Sequence, residues 1–531
     1  MMKKAIKKLL AALLAVAMVC AMAIPAFAYN PGETKEDLNT KHDYGAFQIF
    51  DGVISKDNET LSDVNWGQNI TEPDIFLANL KNDPTIGEKF ETAATAQDVL
   101  AVISKWHDSD DNSIAFARVV CHYLYPDANA NPTPVATDHT GGINIPKSGY
   151  YLIVDTSTFS DDDFYHAYNS FFLLNVPQTP YVVLVNHKVV KPTVEKEVYD
   201  NNDIGSAGGW GSSADHAINE KFKFQLIAKL PASDDCAYDY YDKYTVCFND
   251  TLSDGITFDK LDTVEITNGD GGVSQVINNY TLDPNDPQSS FKLSIDNVKT
   301  CVPDLNKGAT ITVTYTAHLN EKAYVNTEGG SNTTDNKNSV FLQYSNNPRI
   351  DTSLDQTPTS EVRVYTYQLN NTKYRDEVNE NNKLEGAGFR LYSNEACTEE
   401  QEVKLYKKGN FYYPIKDATD KAQDAVEMFS DEHGQFNVKG LDAGTYYLRE
   451  TNPPKDYSAC DDKKIVISAT HDVNHVSLSG NLSTTIINKK AGGITLPSTG
   501  GIGTTIFYVV GGGLMVAAIV LLVTKKRMEN K

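Results

Sequence analysis

Over most of the chain the apolar positions recur every second residue. The run Lys221–Leu230 alternates, and so does Thr310–Leu319, which is the period of a strand with one face buried. Asn, Asp and Gly clusters separate such runs, predicting an all-β chain of tandem immunoglobulin-like β-sandwich domains. Helix is predicted mainly in the first third, where Thr95 stands as a cap before Val99, Leu100, Ile103 and Trp106 on one helical face. The pattern divides the chain into residues 1–28, 29–190, 191–365, 366–490 and 491–531. The run Val362–Leu369 is expected to close the third of these segments and lead straight into the fourth, making a stiff joint.

Several polar residues fall in phase with the apolar face. Lys196 shares a strand face with Val194 and Val198, Asp250 with Val246 and Phe248, and Asn338 with Val340, Leu342 and Tyr344. The same kinds of residue recur later: Lys373 in phase with Tyr367 and Leu369, Glu450 with Tyr446 and Leu448, and Asn488 with Ile486. A Lys or carboxylate buried without a partner costs several kcal/mol, so a core that takes both must satisfy or neutralise them. Burial lowers the pKa of the amine and raises that of the acid, giving a neutral nucleophile beside a protonated carboxyl. Attack on the Asn side-chain carbonyl then expels ammonia and leaves an isopeptide crosslink. A strand end, where alternation no longer implies burial, is the plainer reading of any one of these residues.

The two ends carry different signals. Basic residues, an apolar run from Leu9 to Ile24 and Pro25-Ala-Phe-Ala28 form a secretory leader with cleavage expected after Ala28. At the other end Leu496, Pro497, Ser498, Thr499 and Gly500 precede a Gly-rich apolar stretch to about Val523 and Lys525-Lys526-Arg527. That stretch is expected to span a bilayer transiently before sorting. The pentapeptide in this setting resembles the cell-wall sorting signal of Gram-positive surface proteins, which implies sortase cleavage between Thr499 and Gly500. Removing the four Lys of the leader, and the four basic residues and one Glu beyond residue 499, leaves 39 Lys+Arg against 69 Asp+Glu, a net −30. Nucleic acid is thereby excluded as a main partner. Six cysteines follow the leader: Cys121, Cys236, Cys247, Cys301, Cys397 and Cys460. None forms a CxxC pair or a ligand-spaced Cys/His cluster, so no metal site and no cofactor are expected. Cys397 and Cys460 fall in one segment, and a disulfide between them is expected outside the cell.

Four motifs are similar to those of the sortase-assembled backbone pilins of Gram-positive bacteria. Tyr446–Tyr457 resembles the pilin E box, with Glu450 as its acid. Leu384–Tyr392 resembles a strand of CnaB-like domains, implying Lys373 as isopeptide lysine and Asn488 as acceptor. Asp250, Asn338 and Lys196 resemble a CnaA-like set. Val183–Pro192 resembles the pilin motif and places the pilin lysine at Lys188; His187 stands where the family has Pro, leaving Lys191 as the other lysine in reach. The resemblance implies a non-enzymatic fimbrial subunit at the cell surface. Its partners would be identical subunits, a pilin sortase, a housekeeping sortase and peptidoglycan, with a host or matrix ligand as a further one. A monomeric or accessory wall-anchored adhesin is the alternative it leaves open.

Overall fold

The computed structural model describes residues 42–491 apart from 55–60, 108–109, 139–141, 160–165, 169, 177–180, 185–190, 203–207, 232–236, 270, 273, 285–288, 303–304, 306–307, 328–335 and 419–423, and again 514–523 and 525–526. Among the described residues strands far outnumber helices and are arranged in several sheets, with the α-helices in the first third and near the C-terminus. Alternation is the cause. In Lys221–Lys229 the side chains of Phe222, Phe224, Leu226 and Ala228 are all buried, and the intervening residues are not.

Near the N-terminus Leu61–Trp66, Tyr44–Ile54, Gly149–Asp155 and Phe172–Val176 are neighbours in that order, with Ala136–Asp138 also on Tyr44–Ile54. Helices Pro73–Asn82, Ala96–Ile103 and Asp111–Leu124 contribute to the apolar cluster with this sheet, around Phe47, Phe76, Phe116 and Val120. The expected cap is present: Asp98 N–H donates to Thr95 Oγ1 (3.2 Å) and Thr95 N–H donates back to Asp98 Oδ2 (2.9 Å). Val99 and Ile103 are buried on the predicted face.

Two larger sheets follow. One is ordered Gln275–Val276, Ile256–Thr267, Thr310–Leu319, Lys221–Lys229, Thr193–Asp200, Gly209–Gly211; the other Ser213–Asp215, Ser360–Tyr365, Lys337–Ser345, Val246–Leu252, Phe291–Ile295, Thr281–Asp283. A single apolar cluster draws Leu226 and Val313 from the first and Phe248 and Leu342 from the second. Beyond residue 366 two more sheets share a core of Leu369, Val438, Phe389, Leu448 and Ile486. One is ordered Leu405–Lys408, Phe411–Pro414, Asn437–Leu441, Tyr367–Arg375, Ser483–Asn488, the other Met428–Phe429, Gly388–Tyr392, Gly444–Asn452, Lys463–His471, Val476–Gly480. The strand expected to run through 362–369 breaks at one buried residue, Thr366, and changes sheets there. Thr366 Oγ1 donates to Leu441 O (3.2 Å), and its carbonyl accepts from Asn326 N–H (2.8 Å).

Two expectations are corrected. Among the described residues no helix is long and apolar enough to cross a membrane. The described helix in the apolar tail covers residues 514–523, about 15 Å at 1.5 Å per residue, half of a bilayer's hydrocarbon core. The second correction concerns Cys397 and Cys460, which are both free. Cys397 Sγ faces Asp462 Oδ2 at 3.8 Å, and the Cys460 backbone N–H donates to Glu450 Oε2.

Candidate functional site

Strand geometry delivers Lys196, Asp250 and Asn338 to one buried place. Lys196 lies on Thr193–Asp200, paired with Leu226 of the neighbouring strand. Asp250 and Asn338 lie on adjacent strands of the other sheet, where Leu252 pairs with Asn338 and Asp250 with Val340. The Lys196 ammonium forms a fully buried ion pair with Asp250 and donates to the Tyr315 hydroxyl at 3.1 Å. The Tyr315 hydroxyl donates to Asp250 Oδ1 (3.2 Å) and accepts from Asn338 Nδ2 (2.6 Å). Rings of Phe224 and Tyr315, each with its centroid 5.4 Å from Lys196 Nζ, close the sides.

Burial governs the electrostatics. It pushes the Lys196 amine down to about 8, although Asp250 pulls the other way. It raises the Asp250 carboxyl against the opposing pull of Lys196, and raises the Tyr315 phenol well above its ordinary value. Both members of the ion pair are therefore driven toward their neutral forms. Asn338 Oδ1 is buried and meets no hydrogen-bond donor, so its carbonyl is the group left to be polarised.

Lys373, Glu450 and Asn488 meet differently. Lys373 and Asn488 sit on neighbouring parallel strands of one sheet, in which Arg375 pairs with Asn488 and Lys373 with Ile486. Glu450 comes from Gly444–Asn452 in the other sheet. Lys373 Nζ donates directly to Asn488 Oδ1 and lies 3.2 Å from Glu450 Oε1, which accepts from Asn488 Nδ2 at 2.7 Å. The other Glu450 oxygen accepts from Cys460 N–H at 2.8 Å. Phe389, with its ring centroid 5.1 Å from Lys373 Nζ, packs beside the amine, and burial pushes that amine down.

All six in-phase residues are buried. The sequence reading missed Tyr315, although its signal was present: it falls in phase with Ile311, Val313 and Ala317, so a phenol was being carried into the core with the apolar face. Lys188 and Leu496, Pro497, Ser498, Thr499 and Gly500 lie outside the described residues. Lys191 is half-buried just before Thr193–Asp200.

Residues 367–481 match the model of the SpaA prealbumin-like fold domain, and residues 488–530 match that of the LPXTG cell wall anchor motif. No curated protein matches the chain. Among solved structures, the pilus 2b backbone protein of group B streptococcus is 23% identical, covering 54% of this chain and 97% of its own, with a TM-score of 0.38. The T6 backbone pilin of serotype M6 Streptococcus pyogenes is 15% identical over 86% of this chain and 97% of its own, with a TM-score of 0.45. The full-length major pilin SpaD of Corynebacterium diphtheriae is 15% identical over 89% and 95%, with a TM-score of 0.40. With a SpaA-type prealbumin-like domain followed directly by the LPXTG motif, the chain is a cell-wall-anchored surface protein.

Proposed function

We propose that the chain is the structural subunit of a covalently polymerised surface fibre, built of tandem immunoglobulin-like sandwiches over 29–190, 191–365 and 366–490. A sortase joins Thr499 of one subunit to Lys188 of the next, and the last subunit is passed to peptidoglycan. Within each subunit Lys196 is bonded to Asn338 and Lys373 to Asn488. The observation that carries this reading is the burial of two complete Lys–acid–Asn sets in tandem, ahead of an anchor motif. A load-bearing fibre gains from such bonds, because force then passes along covalent links and unfolding is slow.

The chemistry balances without a cofactor. The protonated carboxyl gives its proton to the Asn carbonyl oxygen as the neutral Lys amine attacks Cγ, and the carboxylate so formed takes a proton from the attacking nitrogen. The C–N bond to the amide nitrogen then breaks as the carbonyl re-forms and its hydroxyl proton returns to the acid. That nitrogen leaves as ammonia with a proton returned by the acid. Each bond forms once, so Asp250 and Glu450 act in single turnovers and the chain is otherwise a sortase substrate.

Intact mass tests the internal bonds. The chain is expected to be two ammonia masses light, and one mass light in both Asp250→Ala and Glu450→Ala; full mass in the parent chain would refute the crosslinks. Polymerisation is tested separately by Lys188→Ala in a host with its sortases. High-mass ladders in the wall fraction are expected to vanish, and their persistence would pass the role to another lysine, Lys191 first.

A further inference from the structure

Away from both crosslink sets, three strands end at one point. Asp200 is the last residue of Thr193–Asp200, Asp215 of Ser213–Asp215 and His471 of Lys463–His471. One ligand atom from each lies within 4.8 Å of the other two, and all three side chains are at most 5% exposed. Linear spacing could not reveal this set, because His471 lies 256 residues beyond Asp215 and comes from a region with a different core.

We propose that Asp200, Asp215 and His471 form a binding site for a divalent cation of the Zn2+ type. The imidazole is already oriented: Nδ1 is hydrogen-bonded to Ser213 Oγ at 2.8 Å, which turns Nε2 toward the two carboxylates. Metal-bound histidines are held in this way through their other ring nitrogen. His471 Nε2 lies 3.7 Å from Asp200 Oδ2 and 3.9 Å from Asp215 Oδ2. Ligands about 2.0–2.2 Å from a tetrahedral ion stand roughly 3.3–3.5 Å apart, so the two imidazole–carboxylate distances need shorten only by a few tenths of an ångström. The carboxylates are oriented as well. Asp215 Oδ2 accepts from the Tyr367 hydroxyl (2.7 Å), Asp200 Oδ1 from Asn202 N–H (2.8 Å) and Asp200 Oδ2 from Asp215 N–H (3.2 Å).

A second, independent observation points to a missing positive group. Asp215 Oδ1 is fully buried and meets no hydrogen-bond donor. The side chain beside the Asp215 carboxylate is another carboxyl, Asp442. A buried carboxylate oxygen without a donor costs free energy, and a cation beside the two carboxyls removes that cost. One nitrogen among few donors selects a Zn2+-like ion over Ca2+, which takes six to eight oxygens. Bound there, the ion would tie the end of Thr193–Asp200 to the sheet beyond Thr366 and brace the joint where the chain changes sheets.

The full chain, stripped with chelator at neutral pH, is titrated with Zn2+ and its bound metal counted after gel filtration. One equivalent per chain and a raised Tm are expected, with the equivalent lost in His471→Gln and in Asp215→Asn. No retained metal, or equal uptake by His471→Gln, overturns the site. Co2+ loading of the unmutated chain guards against misfolded variants: an intense visible d–d band reports the tetrahedral imidazole–carboxylate set, and its absence also overturns the proposal.

Discussion

The two buried sets use the same three residue types and connect different things. At Lys196 the amine and its Asn acceptor come from opposite sheets, the acid and acceptor being diagonal neighbours on one sheet. At Lys373 the amine and acceptor come from adjacent strands of one sheet, and the acid reaches in from the other. A bond at the first site therefore staples sheet to sheet across the core. A bond at the second fuses the opening strand of its region to the closing one, because residues 374–487 lie between its ends. What the pair teaches is that the chemistry requires only a dry meeting of amine, acid and amide, while topology decides which mechanical element the bond reinforces.

Force makes the largest test of that contrast. With load entering at Lys188 and leaving at Thr499 as proposed, the proposed bonds shunt it past residues 197–337 and 374–487, and between the two bonds only 339–372 can pay out. At about 3.5 Å per extended residue, that limits the extension between the bonds to the order of 100 Å, drawn from strands whose Leu342 and Leu369 belong to the two cores. Lys196→Ala is expected to add on the order of 500 Å of contour length and Lys373→Ala on the order of 400 Å, each as its own step in single-molecule pulling. Equal, short extensions for parent and variants would mean that neither bond carries load.

Next in size is an effect confined to one site. In the first set the Tyr315 hydroxyl touches amine, acid and acceptor at once; in the second the three groups touch one another and, among the described residues, no hydroxyl joins them. Tyr315→Phe keeps the ring packing and removes the relay. Time-resolved intact mass should show the Lys196 bond forming on the order of 10- to 100-fold more slowly, with the Lys373 bond unchanged. If both bonds form at their parental rates, Tyr315 is packing and nothing more.

Tyr315 also marks where the sequence stopped being legible. Alternation placed all six polar residues inside, since period 2 fixes a face wherever one side of a sheet is buried. It could not tell that the first acceptor is reached across a core and the second along a sheet, because sheet order is a long-range property. A tyrosine in phase with valines reads as core, and only the meeting of its hydroxyl with Asp250 and Asn338 separates it from Phe258 one strand away. The Asp200–His471 cluster was illegible for the same reason, its imidazole being brought from a strand end far along the chain. The apolar tail misled in the other direction: composition alone suggested a span that the described helix of 514–523 is too short to make.

A smaller effect comes from pH. The reactive form of the first pair holds one proton between amine and acid. Above the amine value of about 8 that proton is lost and ammonia has no donor; below the raised Asp250 value the amine is capped as ammonium. The rate of Lys196–Asn338 bond formation on refolding should be bell-shaped, with its alkaline limb near pH 8. A rate that keeps climbing through pH 10 would remove Asp250 as proton donor.

The smallest expected effect concerns the two thiols near the second set. Burial raises the Cys397 thiol, and raises that of Cys460 to about 11, so little thiolate exists at neutral pH to begin an exchange. Reduced and unreduced chains should have equal mass, and Cys397→Ser should move Tm by no more than about 2 °C. Loss of two hydrogens mapped to Cys397 and Cys460 would restore the bridge that the fold lacks. It would also have a one-sided consequence, because the Cys460 amide holds one oxygen of Glu450. Closing a bridge through Cys460 would shift that amide, disturbing the acid of the second set and leaving Asp250, which has no such support from a cysteine, to work as before.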